Sequence, residues 1–366
     1  MKIMKTPRSV DIAITNQCNL RCTYCSHFTS AGDVDQDLPL KEWLQFFKEL
    51  GQCAVMDLTL EGGEPFCRKD LREIIQGIVE NHMRYLILSN GTLITEDMAA
   101  FLSSTGRCNG VQVSVDGSTP ATHDASRGQG TFSKAIQGIK SLQKQDIPVH
   151  VRVTINKYNI GDLDDIADLL LDEIGLEDFS TNAASYMGLC RQNAGNIQLS
   201  IKDRSVAMEA LLKLNKKYQG RINASAGPLA DLIHWSEMEK ARKENLGCMP
   251  GGGFLTGCGG PMSKLAVRAD GVMVPCIQLS HIELGRINRD SLQEIWQSHE
   301  RLGRLRQRFQ IPLSRFDFCK GCDYMDYCTG NCPALAYTMV GEENHPSPDA
   351  CFRRFLEEGG SLPDER

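Results

Sequence analysis

Apolar and polar residues alternate through SVDIAITNQ at residues 9–17, and the alternation stops at a cysteine. A period of two over so short a run predicts a half-buried strand. Further strands are predicted at 54–60 (AVMDLTL), 84–90 (RYLILSN), 110–117 (GVQVSVDG) and 148–155, with a weaker one near 178–185. Between them the spacing turns helical, near Leu40–Gly51 and over 69–80, 95–104, 131–145 and 161–172. Strands that alternate with helices build a parallel sheet with helices packed outside it. About six such units fit before residue 220, too few for a closed eight-fold barrel. The expected fold is therefore α/β, a partial (β/α)6 TIM barrel over residues 1–220.

After residue 220 the pattern changes. Residues 221–247 are expected to bridge to a second, cysteine-rich domain over 248–366. Glycines crowd Gly251–Gly253 and recur between Gly257 and Gly260. LAVRADGVMV at 265–274 predicts two short strands around an Asp270-Gly271 turn. A helix is predicted over 291–308, and a last one from Cys351.

In parallel α/β sheets, ligands bind at the carboxyl ends of the strands. The unusual short motifs all fall there: the first cysteine loop, Gly62-Gly63-Glu64-Pro65, Ser89-Asn90-Gly91, Ser114-Val115-Asp116-Gly117 and Asn156.

Composition narrows the field. The chain has 366 residues, 41% of them hydrophobic and 23% charged, as ordinary globular proteins do. The net charge of −6 and the lack of a basic tract argue against nucleic acid as a partner. No apolar run is long enough for a membrane span, and the first residues do not read as an export signal. A cytoplasmic location is expected, and there thiols stay reduced. The fifteen cysteines then call for metal. Their spacing agrees: Cys18-x3-Cys22-x2-Cys25 near the start and Cys319-x2-Cys322-x5-Cys328-x3-Cys332 near the end. Zinc is the alternative to iron–sulfur at both places, since both accept thiolate.

The run CNLRCTYC, in this setting, resembles the radical S-adenosylmethionine (SAM) superfamily. The resemblance implies that Cys18, Cys22 and Cys25 hold three irons of a [4Fe-4S] cluster. The fourth iron would chelate SAM, and the reduced cluster would cleave it to methionine and a 5′-deoxyadenosyl radical. Gly62, Gly63, Glu64 and Pro65 resemble the family's loop for the SAM amino group. Ser114, Asp116 and Arg127 resemble positions that hold the ribose or the methionine carboxylate, and Tyr24 the aromatic beside the adenine. Asn90 and Asn156 join this set by their places at strand ends.

The seven cysteines from Cys258 onward resemble a SPASM domain, an extension that carries auxiliary clusters. The resemblance implies one auxiliary cluster on Cys319, Cys322, Cys328 and Cys351. A second would use Cys258, Cys276 and Cys332, with Cys248 as fourth ligand or an open iron in its place. Three [4Fe-4S] clusters and SAM are thus the implied cofactors. Cys53, Cys67, Cys108 and Cys190 remain, and are expected to act as small buried hydrophobes.

Enzymes of this layout mostly act on a side chain of a peptide or protein. Maturation of a ribosomally made peptide, by crosslinking or oxidation, is the implied activity. Flavodoxin or ferredoxin would donate electrons. The 17 residues before Cys18 are too few for a leader-gripping wing, so a separate leader-binding protein or an exposed surface is expected to serve. A small-molecule enzyme of the haem pathway is the alternative. Sulfatase maturation fits less well, because Ile277 stands where those enzymes carry an aspartate base.

Overall fold

The computed structural model describes residues 3–28, 37–256 and 259–363. Ten strands form one sheet: β1 (Ser9–Thr15), β2 (Asp57–Gly62), β3 (Arg84–Ser89), β4 (Cys108–Ser114), β5 (Val149–Ile155), β6 (Phe179–Ala183), β7 (Ile222–Ala224), β8 (Lys264–Val267), β9 (Val272–Val274) and β10 (Gly285–Arg286). Their order is β10-β9-β8-β1-β2-β3-β4-β5-β6-β7. From β8 through β7 every neighbouring pair is parallel. The β8–β9 and β9–β10 pairs are antiparallel. The end strands β7 and β10 do not pair with each other, so the barrel stays open, as the six-unit estimate implied.

Helices connect the strands: α1 (Leu40–Gln52), α2 (Leu71–Glu80), α3 (Glu96–Ser104), α4 (Pro120–Arg127), α5 (Thr131–Gln143), α6 (Leu163–Ala167), α7 (Gly188–Ile197), α8 (Ile201–Lys217) and α9 (Pro228–Lys243). Alternation on the strands decides which face they cover. On β1, Val10, Ile12 and Ile14 are fully buried, in one core with Trp43, Phe46 and Phe47 of α1. On β4, Val111 and Val113 are buried in that core, while Gln112 and Ser114 on the opposite face line an interior cavity. Side chains two apart share a strand face, so one alternation supplies both a core and a polar lumen.

Two segments differ from expectation. Residues 221–247 are largely structured, as β7 followed by the sixteen-residue helix α9. The hairpin at 265–274 is not confined to a separate C-terminal unit. Its first strand, β8, joins the barrel sheet beside β1, from Ser9↔Lys264 to Ile12↔Val267. The C-terminal segment continues with α10 (Gly260–Ser263), α11 (Leu292–Ser298), α12 (Glu300–Arg306), α13 (Pro333–Val340) and α14 (Phe352–Glu357). The helix predicted over 291–308 breaks at His299, which takes an extended conformation between α11 and α12.

Helix α9 is the platform on which the C-terminal segment docks. The Trp235 ring stacks on Phe352 at 5.1 Å between centroids and meets Phe355 at 4.8 Å. All three are buried. Deleting a buried aromatic of this size costs about 3–5 kcal/mol in lost transfer energy and cavity formation. A Trp235→Ala variant is expected to lose that much in denaturant unfolding and to release α14 first, seen as faster hydrogen exchange over residues 351–358. Unchanged exchange there would mean that the docking does not depend on Trp235.

Candidate active site

The strand ends surround a cavity of about 860 Å³. Its lining includes Glu61 and Gly62 from β2, Ser89 from β3, Ser114 from β4, Thr154 from β5 and Asn182 from β6. Thr329, Asn331, Cys332, Asp349 and Ala350 of the C-terminal segment close the opposite side. Both parts of the chain thus build one site.

Cys18, Cys22 and Cys25 all line this cavity, on the loop that follows β1. Several backbone contacts fix the loop. The Thr23 N–H donates to the Ser126 carbonyl at 2.9 Å, and the Leu189 N–H donates to the Cys25 carbonyl at 2.8 Å. Asn193 Nδ2 donates to the Thr23 carbonyl at 2.9 Å. Gly188 takes a positive φ, and a Cβ there would sit 2.4 Å from the Cys25 carbonyl oxygen. Helices α4 and α7 therefore help to hold the thiol loop that β1 delivers.

The Gly62-Gly63 pair has a local cause. The Gly63 and Glu64 N–H groups donate to the Thr15 and Gln17 carbonyls at 2.8 and 2.7 Å. A Cβ on Gly62, which has φ +127°, would lie 2.2 Å from the Thr15 oxygen, and one on Gly63 would lie 2.1 Å from the Gln17 oxygen. These glycines let β2 press against the start of the thiol loop.

Burial pushes the Cys18 thiol up to about 12 and the Cys22 thiol up to about 11. Thiolates here need a cation, and an iron held by the three sulfurs would supply one. The Leu20 N–H and Asn90 Nδ2 approach Cys18 Sγ at 3.4 and 3.9 Å. Such donors tune an iron–sulfur site. The chemistry of the set fits a cluster with one iron left open.

The residues expected around SAM divide into two groups. Tyr24, Gly62, Gly63, Asn90, Ser114 and Arg127 line the cavity. Glu64, Pro65, Asp116 and Asn156 do not, and all four are buried behind it. The Glu64 carboxylate accepts from Ser89 Oγ at 2.8 Å, the Asn90 N–H at 2.7 Å and the Phe66 N–H at 3.2 Å. Burial outweighs these donors and raises its pKa to about 7. The Asn156 side chain bonds the Thr154 carbonyl and the Tyr158 N–H, so it shapes its own turn. Asp116 is fully buried beneath Tyr24 and Arg127. Burial works against charge on Arg127, but Asp116, with Tyr24 and Cys22 nearby, keeps the guanidinium protonated. Burial likewise raises the Tyr24 pKa and keeps its hydroxyl a donor.

Sequence reasoning missed several cavity residues. Glu61 lines the cavity beside the glycine pair, its carboxyl raised to about 8 by burial and by Asp11. Arg204 of α8 pairs with Asp231 of α9 at 2.7 Å and donates to the Asp349 carbonyl at 2.8 Å. Gln278 reaches Ser26 in the thiol loop at 3.2 Å. The signal for Arg204 was weak because its partners lie 27 and 145 residues away.

The C-terminal thiols form a second centre. Cys319, Cys322, Cys328 and Cys351 ring a small separate cavity. Burial, reinforced by the neighbouring thiols, raises Cys319 to about 12. Among the described residues no three His, Cys, Asp or Glu side chains converge to hold a single metal ion. Four thiols in one place can ligate either a tetrathiolate zinc or an iron–sulfur cluster. Cys332 faces the main cavity, whereas Cys276 packs against the core. Cys248 is exposed and lines neither cavity, and Cys258 lies outside the described residues. All fourteen described cysteines are free of disulfides. Of the four left over by the cysteine motifs, Cys190 is buried while Cys53, Cys67 and Cys108 are partly exposed.

Three thiols at the strand ends of a partial barrel, with a second cysteine centre in the C-terminal segment, fit an iron–sulfur radical enzyme. The family model described as the radical SAM superfamily matches residues 12–170, and a SPASM model, an iron–sulfur cluster-binding domain, matches 258–323. Fe-coproporphyrin III synthase of Methanosarcina barkeri is 30% identical over 356 residues, covering 93% of this chain and 86% of that protein. The sporulation killing factor maturation protein SkfB of Bacillus subtilis is 29% identical over 290 residues, 79% of this chain and 64% of that protein. The crystal structure of Streptococcus suis SuiB bound to precursor peptide SuiA shares the fold, with a TM-score of 0.71 at 15% identity, covering 96% of this chain and 77% of that one. The chain belongs to the radical SAM superfamily and carries a SPASM domain. It is an enzyme that uses SAM and iron–sulfur clusters. No helix among the described residues is long and apolar enough to cross a membrane.

His123 gives this site a pH dependence. Its Nδ1 accepts the Asp116 N–H at 3.2 Å, so the ring is held neutral. Burial, with Arg127 adding to it, lowers its pKa to about 4, against the opposing pull of Asp116 and Asp124. Below the unfolded value of about 6.5 the unfolded chain takes up a proton that the folded chain refuses. This stability is present at neutral pH and is lost as pH falls. Between about pH 7.5 and pH 5.5 the protein is expected to lose about 1 kcal/mol more than a His123→Gln variant. Anaerobic urea melts at the two pH values check this, and parallel losses in both proteins contradict it.

Proposed function

We propose that this enzyme matures a peptide, abstracting hydrogen from a side chain to crosslink or oxidise it. The observation that carries the reading is the charge of the cavity. Arg127 and Arg204 are its only arginines or lysines among the described residues, and both are paired with aspartates. Asp231 and Asp349 add negative charge to the walls. A porphyrin bearing several carboxylates needs free cations to replace its water, because buried charges demand partners. A peptide side chain makes no such demand. SkfB, a maturation protein by name, and SuiB, seen with its precursor peptide, support the same reading.

In this account Cys18, Cys22 and Cys25 hold the catalytic cluster. When bound and reduced, it supplies the electron that cleaves SAM to methionine and a 5′-deoxyadenosyl radical. Gly62, Gly63, Asn90, Ser114, Tyr24 and Arg127 surround SAM. Arg127 has its Nε on Asp116, which leaves both Nη groups for the methionine carboxylate. Cys319, Cys322, Cys328 and Cys351 hold one auxiliary cluster. Cys258, Cys276 and Cys332 hold the other, with Cys248 or an open iron completing it. Flavodoxin or ferredoxin donates electrons in the cytoplasm, and leader recognition falls to a separate protein or an exposed surface.

The tetrapyrrole reading rests on the 30% identity to Fe-coproporphyrin III synthase. One experiment separates the two. The reduced enzyme is given SAM with either a candidate precursor peptide, from a short open reading frame adjacent to its gene if one exists there, or iron coproporphyrin. The peptide is expected to lose two hydrogens by mass, and the porphyrin to remain intact. Porphyrin decarboxylation with an unchanged peptide would overturn the proposal. Iron analysis tests the cofactor assignment: three clusters predict about twelve irons per chain, and Cys322→Ala is expected to lose about four. Stoichiometric zinc beside four irons would contradict the auxiliary clusters.

A further inference from the structure

Asp116 is fully buried and is not among the residues lining the cavity. Its carboxylate is nevertheless the meeting point of three elements that do line it. Oδ2 accepts from the Tyr24 hydroxyl, in the loop between Cys22 and Cys25, and from Arg127 Nε at 2.6 Å, at the end of α4. Oδ1 accepts the Thr154 N–H at 2.7 Å, from the end of β5. The backbone is engaged as well: Asn159 Nδ2 donates to the Asp116 carbonyl at 2.9 Å, and the Asp116 N–H donates to His123 Nδ1 at 3.2 Å.

A carboxylate offers about four lone-pair sites, and three are filled by donors of this chain. The burial and these donors leave no direct route from Asp116 to a ribose hydroxyl. Its two side-chain partners, in contrast, both face the cavity, with the Arg127 guanidinium carbon 5.4 Å from the centre of the Tyr24 ring. We propose that Asp116 is a positioning residue: it acts on SAM only through Tyr24 and Arg127, and touches neither the ribose nor any other part of the cofactor.

The arrangement has a physical reason. Tyr24 sits on a loop that carries cluster ligands, and Arg127 has a long side chain with several rotamers. One buried carboxylate removes both freedoms before SAM arrives, so their ordering does not weaken binding. Charge-assisted bonds are the strong kind, and a bond to a buried charge is expensive to leave unmade. The inference rests on the SAM site lying at this end of the cavity, beside the thiol triad.

Deoxy analogues of SAM distinguish positioning from contact. Reconstituted holoenzyme binds SAM and its 2′-deoxy and 3′-deoxy analogues, and each affinity is measured by equilibrium titration. Asp116→Asn keeps the size and one acceptor but removes the charge. It is expected to weaken SAM by about ten- to a hundredfold, and both analogues by the same factor, with the iron content of the amino-terminal site retained. A factor that collapses toward unity for one deoxy analogue would show direct ribose contact and overturn the proposal. Unchanged SAM affinity would overturn it equally.

If Asp116→Asn fails to fold or to hold iron, Tyr24→Phe decides. It removes the hydroxyl whose bond is to Asp116, and is expected to weaken SAM and both analogues alike. Equal SAM affinity in Tyr24→Phe and wild type contradicts the account. Where both variants fold, the double variant is expected to bind SAM no more weakly than Asp116→Asn alone, and additive losses contradict it. Loss of SAM cleavage with SAM affinity intact in every variant would sink the positioning role while leaving the radical SAM assignment standing.

Discussion

The parallel pairing of β8 with β1 is the constraint on which the site depends. β1 delivers the thiol loop, and β8 is the first strand of the C-terminal segment. Register from Ser9↔Lys264 to Ile12↔Val267 brings residues about 255 apart side by side. With β8 fixed, the antiparallel turn into β9 leads toward Cys276, and Gln278 just beyond it reaches Ser26. Helix α9 supplies the second anchor through Trp235 and Arg204's partner Asp231. With these two attachments the C-terminal segment brings Cys332 to the cavity at the carboxyl ends of the barrel strands. The cavity beside the first thiol triad is thus walled by both parts of the same chain, and such walls limit access of water to radical chemistry.

Electrostatics at the site follows one pattern. The charged groups near the thiol triad are buried and matched: Arg127 on Asp116, and Glu64 on three donors. Buried pairs of this kind add little net stability, because desolvation offsets their attraction. Their value lies in direction. They fix donors and rings in place, and the two arginines on the cavity walls, the only arginines or lysines there among the described residues, are each paired with an aspartate. In the proposed reading, this one charge arrangement bears on both cofactor binding and substrate choice.

Much of this was legible in the sequence. The alternation in SVDIAIT, RYLILS and VHVRVTI marks strands because each buries one face in the helix layer and turns the other to the lumen. Thiol spacing marks the cluster centres because closely spaced cysteines on one loop can reach a common centre, whereas a ligand as distant as Cys351 is placed only by the fold. The pairing of β8 with β1 was not legible, since four short apolar residues carry no record of their partner. Helix α7 was missed because GLCRQNAGNI has no clear apolar stripe; its work is to hold the Cys25 loop through Gly188 and Leu189. The glycine pair at Gly62-Gly63 was noticed for closeness to a ligand, yet its closest neighbours are the carbonyls of Thr15 and Gln17. The motif residues Asp116 and Glu64 stand out in sequence as chemistry, and only their hydrogen bonds reveal that they act from behind the cavity wall.

The central claim is that Cys18, Cys22 and Cys25 make the site that cleaves SAM. The most direct measurement is formation of 5′-deoxyadenosine by the anaerobically reconstituted, reduced protein, compared with a Cys18→Ala variant. The account predicts 5′-deoxyadenosine and methionine from the wild type in equal amounts, and none above background from the variant, with the ring of Cys319, Cys322, Cys328 and Cys351 still holding iron. Equal 5′-deoxyadenosine from both proteins would contradict it.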